Sequence, residues 1–431
     1  MRDGGRLAAA VAVLDDMEAR HKPARMALKN WGESARYAGA KDRAFVSGLA
    51  LDTLRRRESL GWRMGAETNR ARALGALRYL WDWPVERVAA AAAEEHGPGP
   101  LTEAEVAALT DGAGLDAAPP SVRGDYPAWL IPQMERVFGP DCAAEGAALA
   151  ARAPVDLRVN TLKTDVARAL KALAPFHAEP AGVIPTALRV AAPAASDRAP
   201  AVETAPEFEK GWFEVQDLGS QIAASLAGEI KGRQVLDFCA GGGGKTLALA
   251  AAMGNTGQLY AYDSDARRLT DTVRRAQRAG VRNLQVRSPL HAEALLGLEG
   301  KMDLVFVDAP CTGSGVWRRH PDAKWRLSPE QLDRRLAEQD AVLAGAAPFV
   351  KLGGRLIYVT CSLFAEENED RVAAFLARRP EFAVLPAIGL ADPFLTAEGF
   401  LRLTPLRAGT DGFFVAVLAR GASGDALANR A

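Results

Sequence analysis

From Met1 to about Ala93, Ala and Leu dominate at helical spacing, and Val46, Leu49, Ala50 and Leu54 fall at i, i+3, i+4 and i+8. The pattern predicts a small all-helical domain. Breakers then accumulate at Gly97-Pro98-Gly99-Pro100 and Asp111-Gly112-Ala113-Gly114 and end in Pro119-Pro120, which places a first domain over 1–120. A short strand at Val155–Val159, a helical stretch from Asp165 to Leu173 and a second strand at Ala187–Val190 predict a small α/β domain over 121–206. Its Pro- and Ala-rich end, Ala191 to Pro206, reads as an exposed loop. From Gln216 onward strand and helix patterns alternate as in a mostly parallel sheet covered by helices, giving a third domain over 207–431. The predicted strands are Gln234–Cys239, Gln258–Tyr262, Leu284–Arg287, Asp303–Asp308 and Arg355–Thr360. Ser328, Pro329 and Gln331 are the N-cap, N1 and reciprocal capping-box residues of a helix after Leu327. Leu401–Thr404 and Phe413–Leu418, separated by Gly409-Thr410-Asp411-Gly412, predict an antiparallel hairpin at the sheet edge.

A length of 431 residues exceeds one comfortable core and agrees with two or three domains. With 48% apolar and 25% charged residues the composition is that of a folded protein. Charged residues interrupt every apolar stretch short of the roughly 20 residues that cross a bilayer, and the start lacks an apolar signal region. A cytoplasmic protein without a membrane partner is expected. The four cysteines, Cys142, Cys239, Cys311 and Cys361, lack C-x-x-C spacing, which suggests neither a disulfide framework nor a metal site. The formal net charge of zero argues against a protein that coats nucleic acid indiscriminately. Residues 1–90 nonetheless hold 17 Lys and Arg against 11 Asp and Glu, a net of +6. The run Arg55, Arg56, Arg57 makes this region either phosphate-facing or a solvated helix face.

The stretch DFCAGGGGKT at 237–246 ends an apolar strand and opens a helix, where backbone approaches a ligand closely in an open α/β sheet. It is not a phosphate-binding P-loop, because G-x-x-x-x-G-K-[ST] needs Gly where Cys239 stands. The next strand ends at Asp263, roughly 20 residues beyond the glycines, where a carboxylate binds ribose hydroxyls or else caps the following helix. Asp308-Ala309-Pro310-Cys311 and Thr360-Cys361 end two further strands and bring two cysteines to one rim. Either alone reads more plainly as a small buried hydrophobe.

With these motifs on the page, the chain resembles the RNA cytosine-C5 methyltransferases of the RsmB/Sun (Fmu) type. The matching elements are DFCAGGGGKT at 237–246, DAPCTGSGVWRRHPD at 308–322, TCSLFAEEN at 360–368 and GTDGFF at 409–414, with RVNTLK at 158–163 and VQDLGSQ at 215–221. AGAKDRAFVSGLALDTLRRR at 38–57 is similar to the NusB-like RNA-binding domain of bacterial ribosomal RNA enzymes. The resemblance implies an α/β fold: a Rossmann-like class I methyltransferase domain, its mostly parallel sheet ending in an antiparallel hairpin, preceded by a small α/β segment and an all-helical NusB-like domain. It implies S-adenosylmethionine as cofactor, ribosomal RNA as partner and a chain that acts as a monomer. It makes Cys361 the nucleophile and Cys311 the thiol that helps release product, with Asp308 between cofactor and base. Cys239, Ala240, Gly241, Gly243, Gly244, Lys245, Asp263 and Arg268 then belong to the cofactor site. One position departs from the family: where it usually carries an Asp near the adenine, this chain reads Arg287-Ser288-Pro289.

C5 of cytosine is a poor nucleophile until a thiolate adds to C6, and a free cysteine has a pKa of about 8.5, so the site must favour ionisation or relay the proton. Hydrogen bonding at N3 and N4 of the base is the task expected of Asp308. The target base must be unpaired or flipped out. Arg318, Arg319, His320 and Lys324, with Arg55 and Arg56, are the expected phosphate contacts, and Trp317 and Trp325 either stack on bases or pack. The alternatives are methylation of transfer RNA or another nucleic acid, and a ribosome-assembly factor that binds RNA without catalysis.

Overall fold

The computed structural model describes residues 1–194, 197, 200–291, 293–387 and 394–421. The chain divides into two compact units. The first comprises Met1–Ala153, the described residues of 192–199, and Val316–Leu327. The second comprises Pro154–Ala191, Pro200–Gly315 and the described residues from Ser328 onward.

The first unit is helical, as the 3.6-residue pattern requires. Helix Asp3–Arg20 buries Leu7, Ala10, Val13, Leu14 and Met17 against Val46, Leu49 and Leu54 of helix Ala40–Arg55. The helical unit does not stop at residue 120: helices Pro120–Gly124, Ile131–Phe138 and Cys142–Leu149 belong to it. The contacts group Ser121 to Ala153, which is helical, with the first unit, whereas the predicted α/β domain begins at 121.

A second departure concerns Val316–Leu327, which packs into the helical unit although sequence places it in the third domain. The Trp325 indole donates to Leu54 O at 2.7 Å and Lys324 Nζ donates to Arg55 O at 2.9 Å and to Asp125 O. Leu54 and Arg55 end helix Ala40–Arg55, whose last carbonyls have no partner within the helix, so the insertion supplies the missing donors.

The second unit holds two sheets. The smaller is antiparallel, in the order β2-β3-β1-β4, from β1 (Val155–Val159), β2 (Glu179–Pro180), β3 (Ala187–Val190) and β4 (Phe213–Val215). β1 and β3 were legible as apolar alternation. β2 and β4, of two and three residues, are too short for a periodicity to register. Asn160, 2% exposed, closes β1: its amide donates to Gly211 O and Ala279 O, both at 2.8 Å, and its Oδ1 accepts from Leu162 N at 3.1 Å.

The larger sheet uses β5 (Gln234–Asp237), β6 (Gln258–Tyr262), β7 (Leu284–Arg287), β8 (Met302–Asp308), β9 (Val350–Thr360), β10 (Phe382–Leu385), β11 (Leu401–Leu403) and β12 (Phe413–Arg420). Its order is β10-β12-β9-β8-β5-β6-β7, with β11 also paired to β12. β5 through β9 are mutually parallel and β12 runs antiparallel to β9, β10 and β11. Both faces are covered, so the central strands are continuous apolar runs rather than alternating ones. Leu304, Phe306, Ile357 and Val359 pack on one face, and Val305, Val307, Leu356 and Tyr358 on the other. β11 and β12 pair as predicted, but β12 is not an edge strand: β10 and β11 lie along its outer side, and a helical turn at Pro405–Ala408 interrupts the connection. Helix Pro329–Ala346 starts where expected, with Ser328 Oγ accepting from Gln331 N.

Asn160→Ala leaves two buried carbonyls without donors. It is expected to cost about 2 kcal/mol and to lower the thermal midpoint of the second unit by roughly 4 °C or more, read by scanning calorimetry.

Candidate active site

The strand order reverses between β5 and β8: the chain runs outward through β6 and β7, then returns to β8 and continues to β9 on the other side. In open α/β sheets ligands bind outside the carboxyl ends of strands at such a switch point. The parallel registers Asp237↔Phe306, Asp237↔Ala261 and Asp308↔Val359 bring the ends of β5, β6, β8 and β9 to one rim.

The loop after β5 turns back through two left-handed glycines, Gly241 (φ 53°) and Gly243 (φ 83°), before helix Gly244–Met253. A Cβ on Gly243 would press on Thr272, and one on Gly241 would clash with the Arg268 guanidinium at 2.7 Å. Asp263 fastens the loop: its Oδ2 accepts from Gly241 N at 2.8 Å, its Oδ1 accepts from Asp265 N at 2.9 Å, and Arg268 stands 3.4 Å away. Asp237 accepts from the Thr246 hydroxyl at 2.6 Å through Oδ2, while its Oδ1 is buried without a hydrogen-bond partner. An orphaned carboxylate oxygen beside a glycine cradle fits a cationic, hydrogen-bonding ligand such as an amino-acid head group. Burial pushes the Asp237 carboxyl up to about 7 against the opposing Thr246 bond.

Lys245 crosses the switch point and donates to Asp308 Oδ2 at 2.6 Å. Burial alone lowers an amine, but here the Asp308 carboxylate outweighs it and the Lys245 ammonium is held above its ordinary range, with Cys361 contributing in the same direction. Cys239 follows the opposite course: burial first, then the charges of Asp237, Asp308 and Asp263, push its thiol well up and keep it neutral.

Cys311 Sγ and Cys361 Sγ lie 3.3 Å apart. A buried carboxylate holds the two loops that carry them. Glu367 Oε1 accepts from Thr312 N at 2.8 Å and from Gln339 Nε2 at 2.9 Å, and its Oε2 accepts from the Thr312 and Ser362 hydroxyls. Next to it, Asn368 accepts from the Thr360 hydroxyl and donates to Ser362 O at 3.0 Å. Glu367 and Asn368 are fully buried, and burial raises the Glu367 carboxyl despite these donors. Sequence reasoning passed over Glu367, Asn368 and Gln339. The available signal was a Glu-Asn pair just after a strand, in a segment where burial cannot be told from exposure by pattern alone.

The catalytic candidates Cys311, Cys361 and Asp308 and the cofactor candidates Cys239, Ala240, Gly241, Gly243, Gly244, Lys245, Asp263 and Arg268 all lie on this rim. The RNA candidates do not form the expected open cationic face. Lys324 is 1% exposed and bonded to backbone carbonyls, and burial pushes its amine down to about 7 against the pull of Asp125. Arg318 is buried, Arg319 half-buried and His320 exposed. Arg55 is largely buried beside Asp52, and Arg56 pairs with Asp125 at 3.4 Å. Trp317, 1% exposed, packs. Lys324 and Trp325 fasten the insertion to the helical unit, because their donors meet the unpaired carbonyls of a helix end. At the end of β7, Ser288 Oγ accepts from Leu290 N, and no carboxylate stands at Arg287-Ser288-Pro289.

Among the described residues no group of three or more His, Cys, Asp or Glu is arranged to hold a metal ion, and no helix is long and apolar enough to cross a membrane.

This sheet order, the braced glycine loop and the acidic strand ends define a class I, S-adenosylmethionine-dependent methyltransferase fold. Residues 225–419 match the family described as 16S rRNA methyltransferase RsmB/F, and residues 126–197 match the RsmF/B-like ferredoxin-like domain. The chain belongs to the RsmB/F family. It is 34% identical over 296 residues to the Ribosomal RNA small subunit methyltransferase B of Citrobacter koseri, covering 68% of this chain and 66% of that one. Against the protein of the same name from Yersinia pseudotuberculosis the identity is 33% over 297 residues, covering 68% and 65%. The matched stretch thus spans slightly less than two thirds of these relatives' lengths. The crystal structure of PH0851 superposes with a TM-score of 0.74 at 25% identity, covering 97% of this chain and 99% of that one. The ferredoxin-like match begins at residue 126, so helices of the first unit precede the small sheet within it.

The raised Asp237 carboxyl gives a stability prediction whose sign is fixed. A group that binds its proton more tightly folded than unfolded stabilises fully below its usual 3.8 and loses that contribution as pH climbs to about 7. Urea unfolding of the ligand-free protein between these limits should show stability falling with pH relative to Asp237→Asn, which cannot ionise. Parallel profiles would remove the assignment.

Proposed function

We propose that this protein transfers a methyl group from S-adenosylmethionine to C5 of a cytosine in RNA, through a transient bond between Cys361 Sγ and C6 of the base, with 16S ribosomal RNA as substrate. The observation that carries the reading is the pair of sulfurs 3.3 Å apart at adjacent strand ends, beside the Lys245–Asp308 ion pair. The names of the Citrobacter koseri and Yersinia pseudotuberculosis relatives supply the ribosomal substrate. Such an enzyme works in the cytoplasm, and we take it to act as a monomer.

The roles of the two thiols are those the family resemblance gives them. The hydrogen bond to Cys361, then burial, push the Cys311 thiol well above its ordinary range, and the two sulfurs share one hydrogen bond. The thiolate form of Cys361 is the attacking species. Bond formation at C6 pushes the C5–C6 electron pair toward C5, and the Asp308 carboxylate accepts from the exocyclic amine as charge spreads over the ring. S-adenosylmethionine, when bound, supplies the electrophilic methyl group. After methyl transfer the Cys311 sulfur, as thiolate, accepts the C5 proton, the C5–H electron pair re-forms the C5–C6 double bond and Cys361 leaves as thiolate.

Cys361→Ala should abolish methyl transfer, a loss of at least about 10³-fold. Cys311→Ala should leave a covalent RNA adduct that resolves slowly and migrates as a shifted band on a denaturing gel. Exchange of the two phenotypes would overturn the assignment. Bisulfite mapping of ribosomal and transfer RNA from cells with and without the gene identifies the target; signal confined to transfer RNA would replace the ribosomal substrate. Absence of S-adenosylmethionine binding at millimolar ligand in isothermal titration would favour an RNA-binding assembly factor without catalysis.

A further inference from the structure

The cofactor loop is braced from behind by one face of helix Ala266–Ala279. Arg268, Thr272 and Arg275 follow at i, i+4 and i+7, the spacing that aligns side chains on one helix face. Each touches a different part of the glycine turn. Arg268 lies against Gly241 and Asp263, Thr272 Oγ1 donates to Gly241 O at 2.8 Å, and Arg275 Nη1 donates to Gly242 O at 2.6 Å.

Arg275 does not act alone. Its Nε and Nη2 donate to Glu214 Oε2 at 3.2 and 2.9 Å, and Arg278 Nη2 donates to Glu214 Oε1 at 2.6 Å. The Glu214 side chain is 3% exposed and belongs to β4, the edge strand of the small antiparallel sheet. A buried carboxylate on one sheet therefore fixes a guanidinium whose remaining donor reaches the loop on the other. The three lie on the wall of a cavity of about 700 Å³, with Phe208 stacked under Arg278 at 3.9 Å.

We infer that Glu214 and Arg275 are positioning residues for cofactor binding: the small sheet holds the Gly241–Gly243 turn in its ligand-ready shape through the Glu214–Arg275–Gly242 chain. The physical reason is that a turn with two left-handed glycines has many competing conformations, and an external donor on Gly242 O selects one before the ligand arrives. Glu214 supplies rigidity, because a guanidinium gripped by two donors on one carboxylate oxygen cannot rotate away from the carbonyl. The inference rests on the reading of this loop as the S-adenosylmethionine site.

The test compares Arg275→Lys with Arg278→Lys in the full chain. Both substitutions remove an arginine from the same Glu214 carboxylate, but only Arg275 reaches the loop. Isothermal titration with S-adenosylmethionine should show Kd raised about tenfold in Arg275→Lys, the equivalent of one charge-assisted hydrogen bond. Kd in Arg278→Lys should change by less than about threefold, and in both variants kcat at saturating cofactor should stay within about twofold of wild type, since the brace acts on binding and not on the thiols. Equal weakening in the two variants, or none in Arg275→Lys while the wild type binds, would overturn the brace alone. A wild-type chain that fails to bind S-adenosylmethionine would overturn the cofactor reading and the brace together.

Discussion

The parallel pairing of β8 with β9 is the constraint on which the site depends. Neither Cys311 nor Cys361 has any local reason to meet the other, since fifty residues separate them. The register Asp308↔Val359 sets the two strand ends level, and the loops that follow are then closed on each other by Glu367, whose carboxylate takes donors from Thr312 and Ser362, the residues immediately after the two cysteines. A carboxylate buried this deeply is costly unless its donors are all in place, so the network is satisfied only when both loops adopt one arrangement. That arrangement is the one with the sulfurs in contact.

The same economy of charge runs through the rest of the rim. Asp237, Asp263 and Asp308 converge on the strand ends, and Lys245 is the buried cation set against them. Each acid has a distinct electrostatic task. Asp263 is tied to backbone donors and orders the glycine turn, Asp308 is paired with Lys245, and Asp237 keeps one oxygen unpartnered. The lack of a carboxylate after β7 leaves Asp263 as the acid that anchors the outer half of the cleft. The external brace on the glycine turn is therefore the more valuable.

The insertion after the Cys311 loop shows how a basic run can mislead. Arg318, Lys324 and their aromatic neighbours have the composition of a nucleic-acid contact, yet the Lys324 and Trp325 donors serve the C-terminal carbonyls of helix Ala40–Arg55. Buried cations of this kind are structural, and the low proton affinity of Lys324 is the mark of desolvation rather than of a binding surface.

Sequence by itself determined the five parallel strands, the helical N-terminal region, the glycine turn and the acidic and thiol residues at the strand ends. These are written in short-range signals: apolar runs, breakers and motifs within ten residues, whose meaning is local. The tertiary structure alone decided the place of β4 and β10, the enclosure of β12, the capture of Val316–Leu327 by the helical unit, and the roles of Glu214, Arg275 and Glu367. Many of the deciding partners are far apart in sequence, 28 residues for Gln339 and Glu367 and 271 for Trp325 and Leu54, and no local pattern records which distant polar group a buried side chain will satisfy.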